Sequence, residues 1–94
     1  MRTKEETREA IEKLKENKEY CSKYNCFNED NHVRIDIMID TIRNERDEQY
    51  VYENYQSEFP DGREDTIGHG NWQAGIIALE YLRGKVEIEQ MLYP

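Results

Sequence analysis

Hydrophobic residues recur at helical spacing along most of the chain. In the first segment, apolar side chains follow one another at intervals of mostly three, four or seven residues, at Ala10, Ile11, Leu14, Cys21 and Tyr24. Because positions so spaced share one face of a helix, this stripe predicts a first helix over about residues 4–24. Thr3 and Glu6 have the spacing of a capping box and place the start of that helix.

The second segment fits two patterns. Its apolar residues predict a helix through Ile35, Met38, Ile39 and Ile42, with Asn28, Asp30 or Asn31 as the cap. The β-branched residues from Val33 to Ile39 also alternate with other side chains, which is typical of a strand. Met38 and Ile42 favour the helix. The alternative is an α+β fold in which residues 33–39 and 86–91 form a short strand pair.

Two further helices are predicted around an irregular stretch. A short third helix over about residues 47–56 has Asp47 as its cap and Val51 on its apolar face. The stretch from Ser57 to Gly70 contains a Pro-Asp-Gly turn signal and the permissive sequence Gly68-His69-Gly70. Asn71 is expected to cap a final helix that ends near Gly84, with the following residues on one side: Trp72, Ile76, Leu79 and Leu82.

These elements predict an all-α fold, a small bundle of about four helices in a single domain over residues 1–94. Trp72 is expected to anchor the core, and Gly75 and Ala78 to let a neighbouring helix approach closely. The last ten residues, 85–94, alternate apolar and acidic side chains before Met91, Leu92 and Tyr93. That pattern leaves open a helical extension, an edge strand, or a flexible tail that contacts a partner.

The composition predicts a thin hydrophobic core and gives the chain a strong negative charge. Leu, Ile, Val and Phe make up 18 of 94 residues, near the level at which charged chains stay disordered, and seven Tyr, three Met and one Trp offset the shortage. The start of the chain has no apolar secretory stretch, so we expect a soluble, cytoplasmic protein. The net charge of -8 should repel nucleic-acid phosphates and anionic membranes. A basic protein surface is the partner that the charge favours.

Most of the charge lies in one segment. Residues 45–65 contain eight acidic and two basic residues, a net charge of -6. Carboxylates can pair with the Arg and Lys side chains that normally bind phosphates, and tyrosines provide rigid contact area. The predicted partner-binding residues are therefore Glu45, Asp47, Glu48, Tyr52, Glu53, Glu58, Asp61, Glu64 and Asp65. The simpler interpretation of the same residues is a solvated acidic helix and loop.

No residue pattern marks a metal or catalytic site. Cys21, Cys26, His32 and His69 are the candidate zinc ligands, but their spacing is loose and Cys21 belongs to the apolar stripe. His69 lies near acidic residues without a recognisable nucleophile motif beside it. The sequence therefore predicts no metal, no cofactor and no enzymatic activity.

Four segments resemble small, acidic, helical proteins encoded by phages and other mobile elements. These segments are Phe27–His32, Ile35–Asp40, Asp47–Tyr55 and Ala78–Gly84, and the resemblance in size, charge and texture spans about residues 1–84. Some proteins of that type inhibit host defence, as anti-CRISPR and anti-restriction proteins do, by covering nucleic-acid-binding surfaces with carboxylates. If this chain is phage-encoded, the resemblance implies a location in the cytoplasm of the host cell.

Two functions follow as expectations. The first is an acidic binding protein that blocks or mimics nucleic acid at a basic surface of a partner, with no direct nucleic-acid or membrane binding. The second is a small homodimeric structural or adaptor protein without inhibitory activity, assembled through the stripe of the first helix or through the apolar tail.

Overall fold

A computed structural model describes residues 2–23, 29–55 and 66–93, and the side chains of residues 2–23, 31–55 and 71–93. Within these ranges the elements are four α-helices and one short 3-10 turn: α1 (Lys4–Lys23), α2 (Glu29–Arg43), α3 (Glu48–Tyr55), α4 (Thr66–Leu82) and η1 (Ile88–Gln90). The described part contains no strand, so the all-α helical bundle is confirmed. None of its helices is both long and apolar enough to cross a membrane.

The four helices pack in a spatial order that differs from their order in the chain. Helix α2 packs against both α1 and α4, and α3 packs on α4. The core lies where α1, α2 and α4 meet, and its largest fully buried side chains there include Leu14, Ile35, Met38 and Ile42. This arrangement leaves α3 attached by one face, with its other face open to solvent.

Helix α1 begins where the capping box predicts. The Thr3 N–H donates to Glu6 Oε1 at 3.0 Å, and the Glu6 N–H donates to Thr3 Oγ1 at 3.1 Å. Ala10, Leu14 and Cys21 are buried, so the apolar stripe is the packed face. Tyr24, the last residue of the predicted stripe, lies outside the described residues.

The strand alternative for residues 33–39 is wrong, because α2 covers that range. Ile35, Met38 and Ile42 are at most 1% exposed, whereas Val33 is 45% exposed. In a strand, Val33 and Ile35 would face the same side of the sheet. Packing against the flanking helices α1 and α4 instead favours the 3.6-residue period of a helix. This packing outweighs the strand preference of the β-branched residues.

Helix α4 starts earlier than expected. It begins at Thr66, so Gly68-His69-Gly70 forms part of the helix instead of a loop, and Asn71 lies inside the helix and is not its cap. Trp72 is only half-buried and does not anchor the core, because the buried face of α4 begins at Ala74.

The end of α4 is as predicted. Gly84 has a φ of +78°, and its N–H donates to the Tyr81 carbonyl at 2.9 Å. The Lys85 N–H donates to the Glu80 carbonyl at 2.9 Å, which completes a Schellman motif. Glycine is the residue that adopts this left-handed conformation without steric cost.

The segment after α4 folds back onto the bundle. Ile88 and Met91 are buried in the core, and the chain between them forms the short turn η1. The side-chain amide of Asn17 donates to the Tyr93 carbonyl at 2.7 Å and accepts from the Tyr93 N–H at 2.9 Å. Residues 85–93 are therefore neither a strand nor a free tail, because their apolar side chains complete the thin core of the bundle.

Candidate protein-binding surface

Helix α3 and the turn before it carry the described part of the predicted binding surface. We define the acidic face as five exposed residues: Glu45, Asp47, Glu48, Tyr52 and Glu53. Tyr52 is 57% exposed, more than the other two exposed large hydrophobic side chains of the described residues, Tyr20 at 46% and Val33 at 45%. The remaining predicted residues lie outside the described ranges: Glu58, Asp61, Glu64 and Asp65.

The start of α3 explains why the acidic residues point outward. Asp47 Oδ1 accepts the Tyr50 N–H at 2.8 Å, and the Asp47 carbonyl accepts the Val51 N–H at 3.1 Å. This cap sets the register of the helix. Val51 is then fully buried, facing Gly75 of α4, and the acidic residues around it face solvent.

Arg46, the one basic residue among residues 45–55, is bound within the protein. Its Nε lies 3.3 Å from Asp40 Oδ2, and its guanidinium carbon lies 4.1 Å from the centre of the Tyr50 ring. The hydrogen bond to Asp40 raises the pKa of Arg46 above its ordinary value. The Arg46 charge is therefore balanced by Asp40, a residue of α2 outside the acidic face.

Asp40 joins α2 to the turn before α3 and to the end of α3. It accepts hydrogen bonds from Arg46, from the Tyr55 hydroxyl at 3.1 Å and from Asn44 Nδ2 at 2.8 Å. Burial alone would raise the pKa of Asp40, but the hydrogen bonds from Arg46 and Tyr55 outweigh it and keep the pKa below its ordinary value. Burial, and then the hydrogen bond to Asp40, raises the pKa of the Tyr55 hydroxyl.

The role of Asp40 is absent from the sequence prediction. Its spacing to Asn44 is the i,i+4 spacing of a helical side-chain pair, and that pair is the one local signal for it. Tyr55 reaches Asp40 from 15 residues away, so only the packing of α3 shows that contact. Tyr55 also packs against the core, and Tyr50 meets its ring edge-on with centroids 6.0 Å apart.

The carboxylates of the acidic face have only weak partners among the described side chains. Glu48 lies 3.9 Å from Arg83 with 71% of its side chain exposed, and Glu53 accepts a hydrogen bond from Gln49 at 3.1 Å. An exposed ion pair of that length contributes little energy, and a competing cation can replace it. The face is therefore available to basic side chains of another protein.

Among the non-glycine residues that the structure describes, Glu45 is the one with a left-handed backbone, at a φ of 48°. It occupies the position in the C-terminal motif of α2 that Gly84 occupies after α4. The Glu45 N–H donates to the Ile42 carbonyl at 3.3 Å, and the Arg46 N–H donates to the Thr41 carbonyl at 3.1 Å. A side chain in this conformation is strained, so Glu45 costs stability at this position.

Replacing Glu45 by glycine is expected to raise the free energy of unfolding by about 1 kcal/mol, because glycine relieves that strain. Urea denaturation measures the change. Glu45→Ala is the matched control, since it removes the same charge but keeps a Cβ atom. Equal stabilisation in both variants would mean that charge repulsion, and not backbone strain, destabilises this position.

The candidate metal ligands and the histidine base are only partly described. Cys21 is buried, and Ser22 Oγ lies 3.0 Å from His32 Nε2. Cys26 and the side chain of His69 lie outside the described residues. Among the described side chains, no group of three or more His, Cys, Asp or Glu residues is placed to hold a metal ion.

Comparison with protein-family models, with curated proteins and with solved structures finds no match for this chain.

Proposed function

We propose that this protein is an acidic binding protein that covers a basic, nucleic-acid-binding surface of a partner protein. The observation that carries the proposal is the composition of the acidic face: four exposed carboxylates and an exposed tyrosine lie on α3 and the turn before it, and Arg46 is turned onto Asp40. Exposed acidic residues alone keep many proteins in solution. A large exposed tyrosine among them is instead typical of a contact surface.

The density of charge supports mimicry of a nucleic-acid strand. Helix α3 has eight residues, which corresponds to a length of about 12 Å. One strand of DNA carries three to four phosphates over that distance, at about 3.4 Å for each. Asp47 at the cap of this helix, and Glu48 and Glu53 within it, place three exposed carboxylates along a similar length, which is a comparable number of negative charges.

The resemblance to phage-encoded acidic proteins extends the proposal to an inhibitor of host defence. In this role, the acidic face would occupy the nucleic-acid-binding surface of a defence nuclease or of a guide-RNA complex. Arg and Lys side chains that bind phosphates also bind carboxylates, often in a bidentate way for Arg. Nucleic acid and this protein would then compete for the same partner.

Both surfaces suggested for a homodimeric adaptor are used inside the chain. The stripe of α1 is buried against α2, and Ile88 and Met91 of the terminal segment are buried in the core. The packing of the described residues therefore offers no support for that alternative.

A three-residue variant of the acidic face tests the proposed function. A basic partner is captured from lysate with and without nuclease treatment, and its affinity is measured for the wild type and for the variant Glu48→Gln, Tyr52→Ala, Glu53→Gln. We expect the variant to bind at least about tenfold more weakly, because charge pairing and a central tyrosine are both removed. The wild-type affinity should also fall as salt is added.

Helix α1 offers a control with the same chemistry. The variant Glu16→Gln, Glu19→Gln, Tyr20→Ala removes two exposed carboxylates and an exposed tyrosine on α1, which packs on α2, whereas α3 packs on α4. It should bind the partner as tightly as the wild type. Equal losses in the two variants, or a partner that is released by nuclease, would contradict the proposal.

A further inference from the structure

A basic side chain of α4's C-terminal end stands against the acidic face. Arg83 Nη2 lies 3.9 Å from Glu48 Oε2, with 48% of the Arg83 side chain and 71% of the Glu48 side chain exposed. That distance is longer than a hydrogen bond. The Arg83 side chain makes no other ion pair or hydrogen bond with the residues that the structure describes. A guanidinium of the chain itself therefore lies beside a carboxylate of the acidic face.

The ends of two helices place this pair. Glu48 is in the first turn of α3, and Arg83 directly follows α4, where its N–H donates to the Leu79 carbonyl at 3.0 Å. The Schellman motif at Gly84 fixes the backbone at this point. The start of a helix favours a negative charge and the end of a helix favours a positive one, so each ion is stabilised by its own helix. Neither ion depends on the other to keep its place in the fold.

Arg46 shows by contrast how a cation that belongs to the fold is held. Its Nε bonds to Asp40 at 3.3 Å, and its guanidinium lies over the Tyr50 ring. Among the described residues, Arg83 has only the long contact with Glu48. An exposed ion pair of that length contributes little energy, so another guanidinium can displace Arg83 from Glu48.

An arginine from a partner protein can bind Glu48 more closely than Arg83 does. The Arg83 backbone is fixed at the end of α4, and its Nη2 stays 3.9 Å from the carboxylate. An arginine that approaches from solvent can form two parallel hydrogen bonds with a carboxylate. Lysine has no planar fork and binds a carboxylate as a point charge. The group that best replaces Arg83 at Glu48 is therefore a second guanidinium.

We infer that Arg83 is a competitor built into the acidic face: it occupies at Glu48 the place that an arginine of the partner takes in the complex. Arg83 thereby limits the affinity of the face for its partner. This inference rests on the proposed function, because it concerns the regulation of the same surface.

Titration with an oligoarginine peptide tests the inference by NMR at about 0.05 M salt, with the backbone amides of α3 as reporters. Arg83→Gln should bind the peptide about two- to fivefold more tightly than the wild type, because an exposed ion pair no longer has to be broken. In a Glu48→Gln background, the same substitution should change the affinity by less than about 1.5-fold, because the pair is already absent. In the wild type, the Arg83 Nε–H signal should shift as the peptide takes over Glu48.

Lys85→Gln is the matched control, since it removes one positive charge from an exposed side chain that makes no described ion pair. It should bind the peptide as the wild type does. Circular dichroism checks that each variant keeps its helices. Unchanged affinity in Arg83→Gln would overturn the inference. Equal gains from Arg83→Gln and Lys85→Gln, or an equal gain with and without Glu48, would also overturn it, because net charge alone would then explain the gain.

The same titration distinguishes a failure of this inference from a failure of the proposed function. A peptide that leaves the α3 amide signals of the wild type unchanged would contradict both, because the acidic face would then not bind arginine side chains. If those signals shift and the effect of Arg83→Gln is missing, the inference alone is wrong.

Discussion

Replacing Arg2 by methionine is expected to lower the midpoint of thermal unfolding by roughly 10 °C or more. Arg2 joins the start of the chain to the segment after α4. Its Nε donates to the Tyr81 carbonyl at 2.9 Å, and its terminal nitrogen Nη2 donates to the Val86 carbonyl at 2.6 Å. The guanidinium also lies over the Tyr81 ring, 4.5 Å from its centre, with 14% of the side chain exposed.

Methionine keeps the apolar length of this side chain but leaves the partly buried Val86 carbonyl without its donor. It also removes one of the two donors of the Tyr81 carbonyl, which keeps the Gly84 N–H. That loss is larger than the loss of an exposed ion pair, because the carbonyls cannot recover full contact with water. The pairing of Arg2 with Glu6 at 3.1 Å adds to the effect. Differential scanning calorimetry measures the midpoint.

Two variants separate the possible causes of such a loss. Arg2→Lys keeps the positive charge but has no planar fork to reach two carbonyls, so it should recover only part of the stability. Arg8→Met removes an exposed arginine of α1 with no described ion pair and should leave the midpoint nearly unchanged. A midpoint for Arg2→Met close to that of the wild type would show that the Arg2 side chain does not hold the two ends of the chain together.

Replacing Gly75 by alanine is expected to lower the free energy of unfolding by about 1–2 kcal/mol. An added Cβ would stand 2.6 Å from Val51 Cγ1 and 3.3 Å from Tyr55 Cδ2. Val51 is fully buried and β-branched, so its side chain has no free rotamer into which to turn. The helix propensity of alanine returns about 1 kcal/mol, which is less than the cost of the clash.

The same substitution should have the opposite sign when Val51 is shortened. In a Val51→Ala background, the contacts of the added Cβ with the two Val51 methyl groups are gone and the Tyr55 Cδ2 contact at 3.3 Å remains. The propensity gain also remains, so Gly75→Ala should stabilise by up to about 1 kcal/mol. Urea denaturation of the four proteins of this cycle measures the coupling. Destabilisation of similar size in both backgrounds would mean that the close approach of α3 to α4 is not what requires glycine. Because Gly75 lets α3 pack closely on α4, the clash should also displace the acidic face.

The helices that the sequence predicts well are those with local signals. The cap of α1 depends on two residues three positions apart, and the glycine that ends α4 depends on one backbone angle. Both interactions form within one or two turns, so their residue types are visible in the sequence. The sequence places the start of α4 too late because Gly68 and Gly70 weaken a helix locally, whereas the structure shows the helix continuing through them.

The acidic face likewise has features that the sequence shows and a feature that only the folded structure shows. Its carboxylates and tyrosines are read directly from the sequence, and the register of α3 follows from Asp47. The pairing of Arg46 with Asp40, which leaves the face without a free cation, depends on how the chain turns between α2 and α3.

By itself the sequence determined the helical class, the cap of α1, the end of α4 and the location of the charge, because each depends on residues only a few positions apart. The tertiary structure alone decided that α2 is a helix and not a strand, and that Arg2 and Asn17 hold the terminal segment. It also decided which carboxylates face solvent. These outcomes join residues up to 84 positions apart, and the energy of such contacts exists only once the helices have packed.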